Sequence, residues 1–336
     1  MGAERARARA PRIPWQALAL VSILVLIALA TPGFLATEVR DGRAYGAAID
    51  VVLRAAPTAL VALGMAPVIG TGGVDLSVGA ILAVAGTLAA LVVRHGAGGA
   101  APALAAALAG GLALGLFNGA LVAGLRLQPI VATLILFVAG RGIAQLLSGG
   151  EVLTFDAPAL QSLARGTLAF LPASLFVVLA ALAAIALVLR RTSAGLYLEA
   201  TGDHPRSARL AGVPVAAVLL GAYGASGLLA ALAGVLVAAD IGAADAANAG
   251  LYVELDAILA VVIGGARLTG GRVHLARTLL GVLVLQALTT SILILDWGYE
   301  ATLMVKAAAV LAACALQSPR WAELTAARRA RVERAP

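Results

Sequence analysis

Long apolar runs follow one another along the chain, separated by short polar stretches. Windows rich in Ala, Leu, Val, Ile and Gly fall at 15–32, 50–70, 75–94, 101–124, 129–148, 168–189, 213–238, 254–266, 273–294 and 301–317. Most approach the roughly 20 residues that an α-helix needs to cross a hydrocarbon core, while 254–266 is short. Lipid offers the backbone no hydrogen bonds, so runs of this kind must satisfy their own peptide groups as helices. The pattern predicts an all-α, polytopic integral membrane protein with about ten transmembrane helices. It divides the chain into a basic tail (1–14), a transmembrane domain (15–318) and a second basic tail (319–336).

The runs are built from small residues, as in AAALAGGLALGLFNGA at 105–120. Such faces let helix backbones approach closely where lipid removes the hydrophobic drive for association. Glycine pairs interrupt two stretches, GTGGVDLSVG at 70–79 and ELDAILAVVIGGARLTGG at 254–271, and AILAV occurs at both 80–84 and 257–261. Paired, glycine-broken segments in two halves of a chain suggest discontinuous helices around a central path.

Composition agrees with this reading. Of 336 residues, 62% are hydrophobic and only 12% charged, too few charges to cover a water-facing surface. The net charge of +7 reflects arginines at the edges of apolar runs, not a stripe that would grip nucleic acid. Arg126, then Arg190, Arg191, Arg206 and Arg209, then Arg267 and Arg272, then Arg320, Arg328, Arg329, Arg331 and Arg334 alternate with acidic segments. The acidic segments hold Glu38 and Asp41, Glu151 and Asp156, Asp240 and Asp245, and Asp296 and Glu300. This register expects ten crossings with both termini in the cytoplasm; Arg94, His95 and Arg165 run against it. Arg5, Arg7, Arg9 and Arg12 ahead of the first run imitate a signal peptide, but we expect an uncleaved first span.

Candidate chemistry is sparse. GGARLTGGR at 264–272 lacks the Gly-Lys-Ser/Thr of a phosphate-binding loop, and the one lysine, Lys306, lies in the last apolar run. Cys314 stands alone and His95, His204 and His274 are scattered, so no metal set is expected. The chain should carry no cofactor, and ATP, if it drives transport, must be hydrolysed by another subunit. Asp75, between a glycine pair and an apolar run, reads as the N-cap of the next helix or as a contact to substrate. Glu254 and Asp256 stand two apart and cannot share a helix face; they read as helix-start, membrane-edge carboxylates. Asn118, Gln128 and Gln286 fit interhelical hydrogen bonds, or contacts to sugar hydroxyls. Asp75, Asn118, Gln128, Glu254 and Asp256 are thus the candidates for the translocation path.

The loop at 190–214 predicts a short rigid helix. Asp203-His204-Pro205 starts it, Arg206, Arg209 and Leu210 lie on it, and Gly212 and Pro214 end it. Arg206 and Arg209 share one face, and Leu210 lies on another. A capped helix outside the bilayer suits docking to a partner.

GGVDLSVGAILA at 72–83, ATGDHPRSARLAGV at 200–213 and ELDAILAVVIGGARLTGGR at 254–272 resemble the permease subunits of bacterial ATP-binding-cassette sugar importers of the ribose, xylose and galactose group. ADIGAADAANAGLYVELDAILAVVIGG at 239–265 and DGRAYGAAIDVVLRAAPTALVALGM at 41–65 are most similar to the galactofuranose importer permease. The resemblance covers roughly residues 15–320. It implies a non-enzymatic permease of the inner membrane, working by alternating access. Its implied partners are an ATP-binding-cassette ATPase, a periplasmic sugar-binding protein, and a second permease copy or paralogue. Asp203, Pro205, Arg206, Arg209, Leu210 and Gly212 would then be the ATPase-coupling segment. The family loop reads Gly-Gly-Asn-Pro/Ala; here it is Gly202-Asp203-His204-Pro205, a departure at the ATPase contact.

Two rivals remain open at this stage. An ion-coupled secondary transporter should place carboxylates, His or Lys deep in its spans, and the sequence offers Asp75 and Lys306. A membrane enzyme acting on lipid-linked sugar needs clustered carboxylates or a metal set, which the sequence lacks.

Overall fold

A computed structural model describes residues 15–30, 34, 36–40, 43–96, 99–295 and 304–308. The predicted basic tails, Asp296, Glu300, Cys314 and most of the tenth window lie outside the described residues. The helices are α1 (Trp15–Ala30), α2 (Ala47–Gly70), α3 (Val78–Arg94), α4 (Ala100–Ala123), α5 (Pro129–Ser148), α6 (Pro158–Arg165), α7 (Ala173–Arg191), α8 (Ala194–Asp203), α9 (Pro205–Leu210), α10 (Val215–Ile241), α11 (Val253–Ile263) and α12 (Leu275–Ile294). Short two-stranded antiparallel pairs join β1 (Glu38–Arg40) to β2 (Arg43–Tyr45), β3 (Leu153–Thr154) to β6 (Ala243–Ala244), and β4 (Thr167–Leu168) to β5 (Leu171–Pro172).

Among the described residues, α2, α4, α5, α7, α10 and α12 are long and apolar enough to cross a bilayer alone. α1 and α3 are shorter apolar helices. The expected span at 254–266 is α11, whose 11 residues rise only about 16 Å, half a hydrocarbon core. Among the described residues, six of the ten expected crossings are full-length helices, three are shorter, and the tenth lies mostly outside them. α3 and α11 are short because chain 71–77 ahead of α3, and chain 242–252 ahead of α11, is not continuous helix.

α2, α3 and α10 form the buried centre, and Leu60, Leu63, Met65, Ile69, Ile81 and Tyr223 are almost fully enclosed. α4 locks onto α10 through glycine at four-residue spacing. A Cβ on Gly111 would come within 2.6 Å of the Gly227 carbonyl oxygen. One on Gly115 would stand 3.0 Å from Gly227 Cα, and one on Gly119 would stand 3.0 Å from Leu220 Cα. Direct backbone contact maximises dispersion attraction where lipid leaves no hydrophobic gain. α7, by contrast, buries few of its residues and leaves Leu179, Leu187 and Val188 uncovered. α1 is tied in at its start, where Gln16 Nε2 donates to the Ile263 carbonyl at 2.7 Å and satisfies an orphan acceptor at the end of α11.

A side chain forced into the α4–α10 seam should separate the helices. Gly115→Val is expected to lower the midpoint of thermal unfolding in detergent, through overpacking of about 1–3 kcal/mol. Gly221→Ala, which meets nothing within 4 Å, should leave the midpoint unchanged. Fluorescence-detected size exclusion of heated samples measures both.

Candidate functional site

The two interrupted spans meet in the interior. The chain leaves α2 at Gly70, turns through Gly72 (φ +81°) and passes Asp75 before α3 begins. On the other side it leaves α10 at Gly242 (φ +68°), descends through 243–252 and enters α11 beside α3. Gly79 and Gly250 touch there: a Cβ on Gly250 would lie 2.8 Å from the Gly79 carbonyl oxygen. The paired breaks expected from the glycines are therefore present. The second lies upstream of the expected place: Gly264-Gly265 ends α11, and the irregular chain precedes it.

Asp75 is fully buried and holds this centre together. Its Oδ1 accepts the Ser77 backbone N–H at 3.0 Å, the Ser77 hydroxyl at 2.6 Å and Asn118 Nδ2 at 3.4 Å. Its Oδ2 accepts the Ser226 hydroxyl at 2.9 Å. Asn118 Nδ2 also donates to Ser77 Oγ at 2.7 Å. One carboxylate thus joins the start of α3 to α4 and α10. Ser226 stands about 17 Å along a helix of about 40 Å, so the node lies well inside the bundle. The expected capping role holds in a modified form, because Asp75 caps the turn leading into α3 while bridging two further helices. Both candidates in this node are enclosed by protein, Asn118 as completely as Asp75.

Glu254 and Asp256 diverge, as their spacing required. Asp256 receives Lys306, whose Nζ lies 2.7 and 2.9 Å from its two carboxylate oxygens. Glu254 is buried against the first turn of α3, where its Oε2 has no hydrogen-bond partner. The expectation of a membrane-edge carboxylate is corrected: α11 begins deep in the bundle, so its first turn does too. Gln128 is exposed just before α5 and makes no cap hydrogen bond. Gln286 donates to Thr290 Oγ1 within its own helix at 3.3 Å.

Arg141 was missed by sequence reading. From α5 its guanidinium reaches the Ala246 carbonyl at 3.3 Å and the Ala249 carbonyl. Glu254 and Asp245 supply the negative charge around it. Non-helical backbone at membrane depth needs donors that helix geometry does not provide, and Arg141 brings them. The signal was an arginine inside an apolar window, which is costly unless it has such work.

The predicted docking helix is present as α9. His204, not Asp203, stands before it, and no side chain caps it. Asp203 is the last residue of α8, and its Oδ1 lies 2.8 Å from where a Cβ on Gly271 would sit. The correction follows from the extended backbone at His204, which ends one helix and opens the next while leaving the Asp203 carboxylate behind. Pro205 opens α9 as expected, and Gly212 (φ +85°) terminates it. Within α9 Ala208 is buried, while Leu210 is 91% exposed. Behind α9 three elements touch through glycine. The Gly271 N–H donates to the Gly70 carbonyl at 2.9 Å, and a Cβ on Gly202 would fall 2.5 Å from Gly271 N.

Asp75 variants separate hydrogen bonding from charge. Asp75→Asn keeps an acceptor for Ser77 and Asn118 and should insert with a modest loss of thermal stability. Asp75→Leu strands buried donors at roughly 1–3 kcal/mol each and should lose most folded protein. Yield of monodisperse protein after membrane extraction is the measurement; equal yields would refute the bridging role.

Residues 47–314 match the family model described as the branched-chain amino acid transport system / permease component. The chain is 46% identical, over 92% of its length and 90% of the relative's, to the galactofuranose transporter permease protein YtfT of Escherichia coli K12. It is 33% identical over 94% of its length and 90% of the relative's to the fructose import permease protein FruF of Bifidobacterium longum NCC 2705. It is 32% identical over 88% of its length and 91% of the relative's to the ribose import permease protein RbsC of Escherichia coli K12. No solved structure matches. With a bundle of apolar helices and a family match over most of its length, the chain belongs to this family of transport-system permease components.

Proposed function

We propose that the chain is the membrane-spanning permease of an ATP-binding-cassette importer for a monosaccharide, with a galactofuranose-type sugar as substrate. The observation that carries this reading is the 46% identity to the galactofuranose permease over 92% of the chain. The family description speaks of branched-chain amino acids, but three relatives matched nearly end to end are named for sugars. The reading includes an inner-membrane protein with ten crossings, both termini in the cytoplasm and a cytoplasmic face that carries α9. A separate ATPase docks on that face, a periplasmic sugar-binding protein delivers substrate opposite, and a second permease copy or paralogue completes the pore. The permease itself hydrolyses nothing and holds no cofactor.

The described geometry supplies a mechanical route for alternating access. α9 is a short knob anchored at Ala208, with Leu210 free to enter an apolar groove. α8 carries Gly202 against Gly70 and Gly271, so displacement of α8 and α9 presses directly on the end of α2 and the chain before α12. From Gly70 the chain runs within five residues to Asp75, and from there into α4 and α10. Backbone contacts transmit such motion because no flexible side chain intervenes to absorb it. Sugar specificity rests mainly on the binding protein in this scheme, so the path needs only weak contacts to hydroxyls.

Reconstituted with its ATPase and binding protein, the permease should take up labelled galactofuranose only with ATP. Uptake driven by a proton or sodium gradient without ATPase would favour the ion-coupled carrier, with Glu254 as its first suspect. Leu210→Asp should insert normally yet lose ATPase co-purification by about tenfold or more, because a charge is desolvated without a partner. Gly202→Val should keep the ATPase bound while abolishing sugar-stimulated hydrolysis, since the junction and not the docking knob is altered.

A further inference from the structure

At the end of α7, beside the start of α12, a cavity of about 550 Å³ lies at the edge of the bundle. Its lining is basic: Arg190 from α7, Arg272 from the loop before α12 and Arg277 from α12, with His274 among them. Glu199 is the acidic residue of the lining, and it lies 3.3 Å from Arg272 Nε in an exposed pair. Among the described residues, the Arg190 and Arg277 guanidiniums have no opposing carboxylate in the cavity lining. The lining also has apolar residues, among them Ala186 and Leu189 from the last turns of α7.

We propose that this cavity binds the phosphate headgroup of an anionic phospholipid from the cytoplasmic leaflet. The side of the membrane rests on the proposed orientation; the site itself does not. Arginines from three separate segments converge on one volume, whereas topology alone asks only that arginines lie near helix ends. Guanidinium forks match phosphate oxygens in geometry and charge. Basic pockets between transmembrane helices at the headgroup level suit anionic headgroups. The apolar lining favours a lipid over a free anion: Ala186 and Leu189 lie on α7, whose Leu179, Leu187 and Val188 are uncovered, so an acyl chain gains contact there and inorganic phosphate gains nothing. Partial burial first, then Arg277 and Arg272, outweigh Glu199 and hold the His274 imidazole below its ordinary range.

The test uses the full chain in detergent, without ATPase or sugar, so it stands whether or not the transport reading does. Native mass spectrometry and thermal unfolding are followed while phosphatidylglycerol, phosphatidylcholine or inorganic phosphate is added. Wild type should retain phosphatidylglycerol over phosphatidylcholine and be stabilised by it, with no stabilisation by inorganic phosphate. The double variant Arg190→Gln, Arg277→Gln should bind phosphatidylglycerol roughly thirtyfold more weakly, at about fivefold per cation. Arg206→Gln with Arg209→Gln removes equal charge from the same face and should retain wild-type lipid binding. Equal retention by all three proteins would overturn the site. So would equal loss in both double variants, which would mean a diffuse surface field. Stabilisation by inorganic phosphate as strong as by lipid would overturn the lipid as occupant. In a separate co-purification with the ATPase, lost ATPase binding together with unchanged lipid binding in Arg190→Gln, Arg277→Gln would make the cavity a subunit contact instead.

Discussion

A carboxyl group buried in a membrane protein needs hydrogen-bond partners from the protein around it, because neither lipid nor an apolar interior supplies any. Asp75 meets that condition with Ser77, Asn118 and Ser226, drawn from the start of α3, from α4 and from α10. Each donor is useless to the others unless all three helices are in register. The node therefore fixes the relative height of α3, α4 and α10, and with them the place where the chain can leave helical geometry. Around it the glycine seam between α4 and α10 supplies close contact, but glycine faces slide; a directional hydrogen-bonded node does not.

The same constraint explains the second interruption. Chain 242–252 lies against the bundle without continuous helix, with Ala243, Ala244 and Ala246 buried, so its inward carbonyls need donors from elsewhere. Arg141 gives two of them from α5, and the short β3–β6 pairing secures the segment near its start. Glu254 then sits on the first turn of α11 against Gly79, so the two interrupted spans are in direct contact. A bundle of continuous helices would offer no such contact between irregular segments, and no direct link from the α9 face to the interior.

The charges that looked alike in the sequence separate by what surrounds them. Asp75 is a tether, Asp256 is neutralised by Lys306, and Glu254 keeps an unpartnered oxygen beside a glycine. Arg141 serves backbone carbonyls, while Arg190 and Arg277 face a cavity at the bundle edge. Cost decides the difference: a charge inside must find partners in the protein, whereas one at the edge finds them in headgroups or water.

Apolar run length, small-residue faces and glycine pairs determined a helical membrane bundle with two interruptions. These properties are written locally, in composition and spacing, so the chain alone carries them. The short helix at 205–210 was legible for the same reason, since Pro205 and Gly212 act on their own backbone. Tertiary structure alone decided that Asp203 would miss that helix, because the extended His204 separates α8 from α9. It alone placed α11 half-way through the bundle, which turned Glu254 from a membrane-edge residue into a buried one. It alone brought Asn118 and Ser226 to Asp75, and Arg141 to 246–249, across separations of 43 to 151 residues. Hydrogen bonds between distant segments leave no periodicity in a sequence, because the partners are chosen by helix register, which only the packed bundle sets.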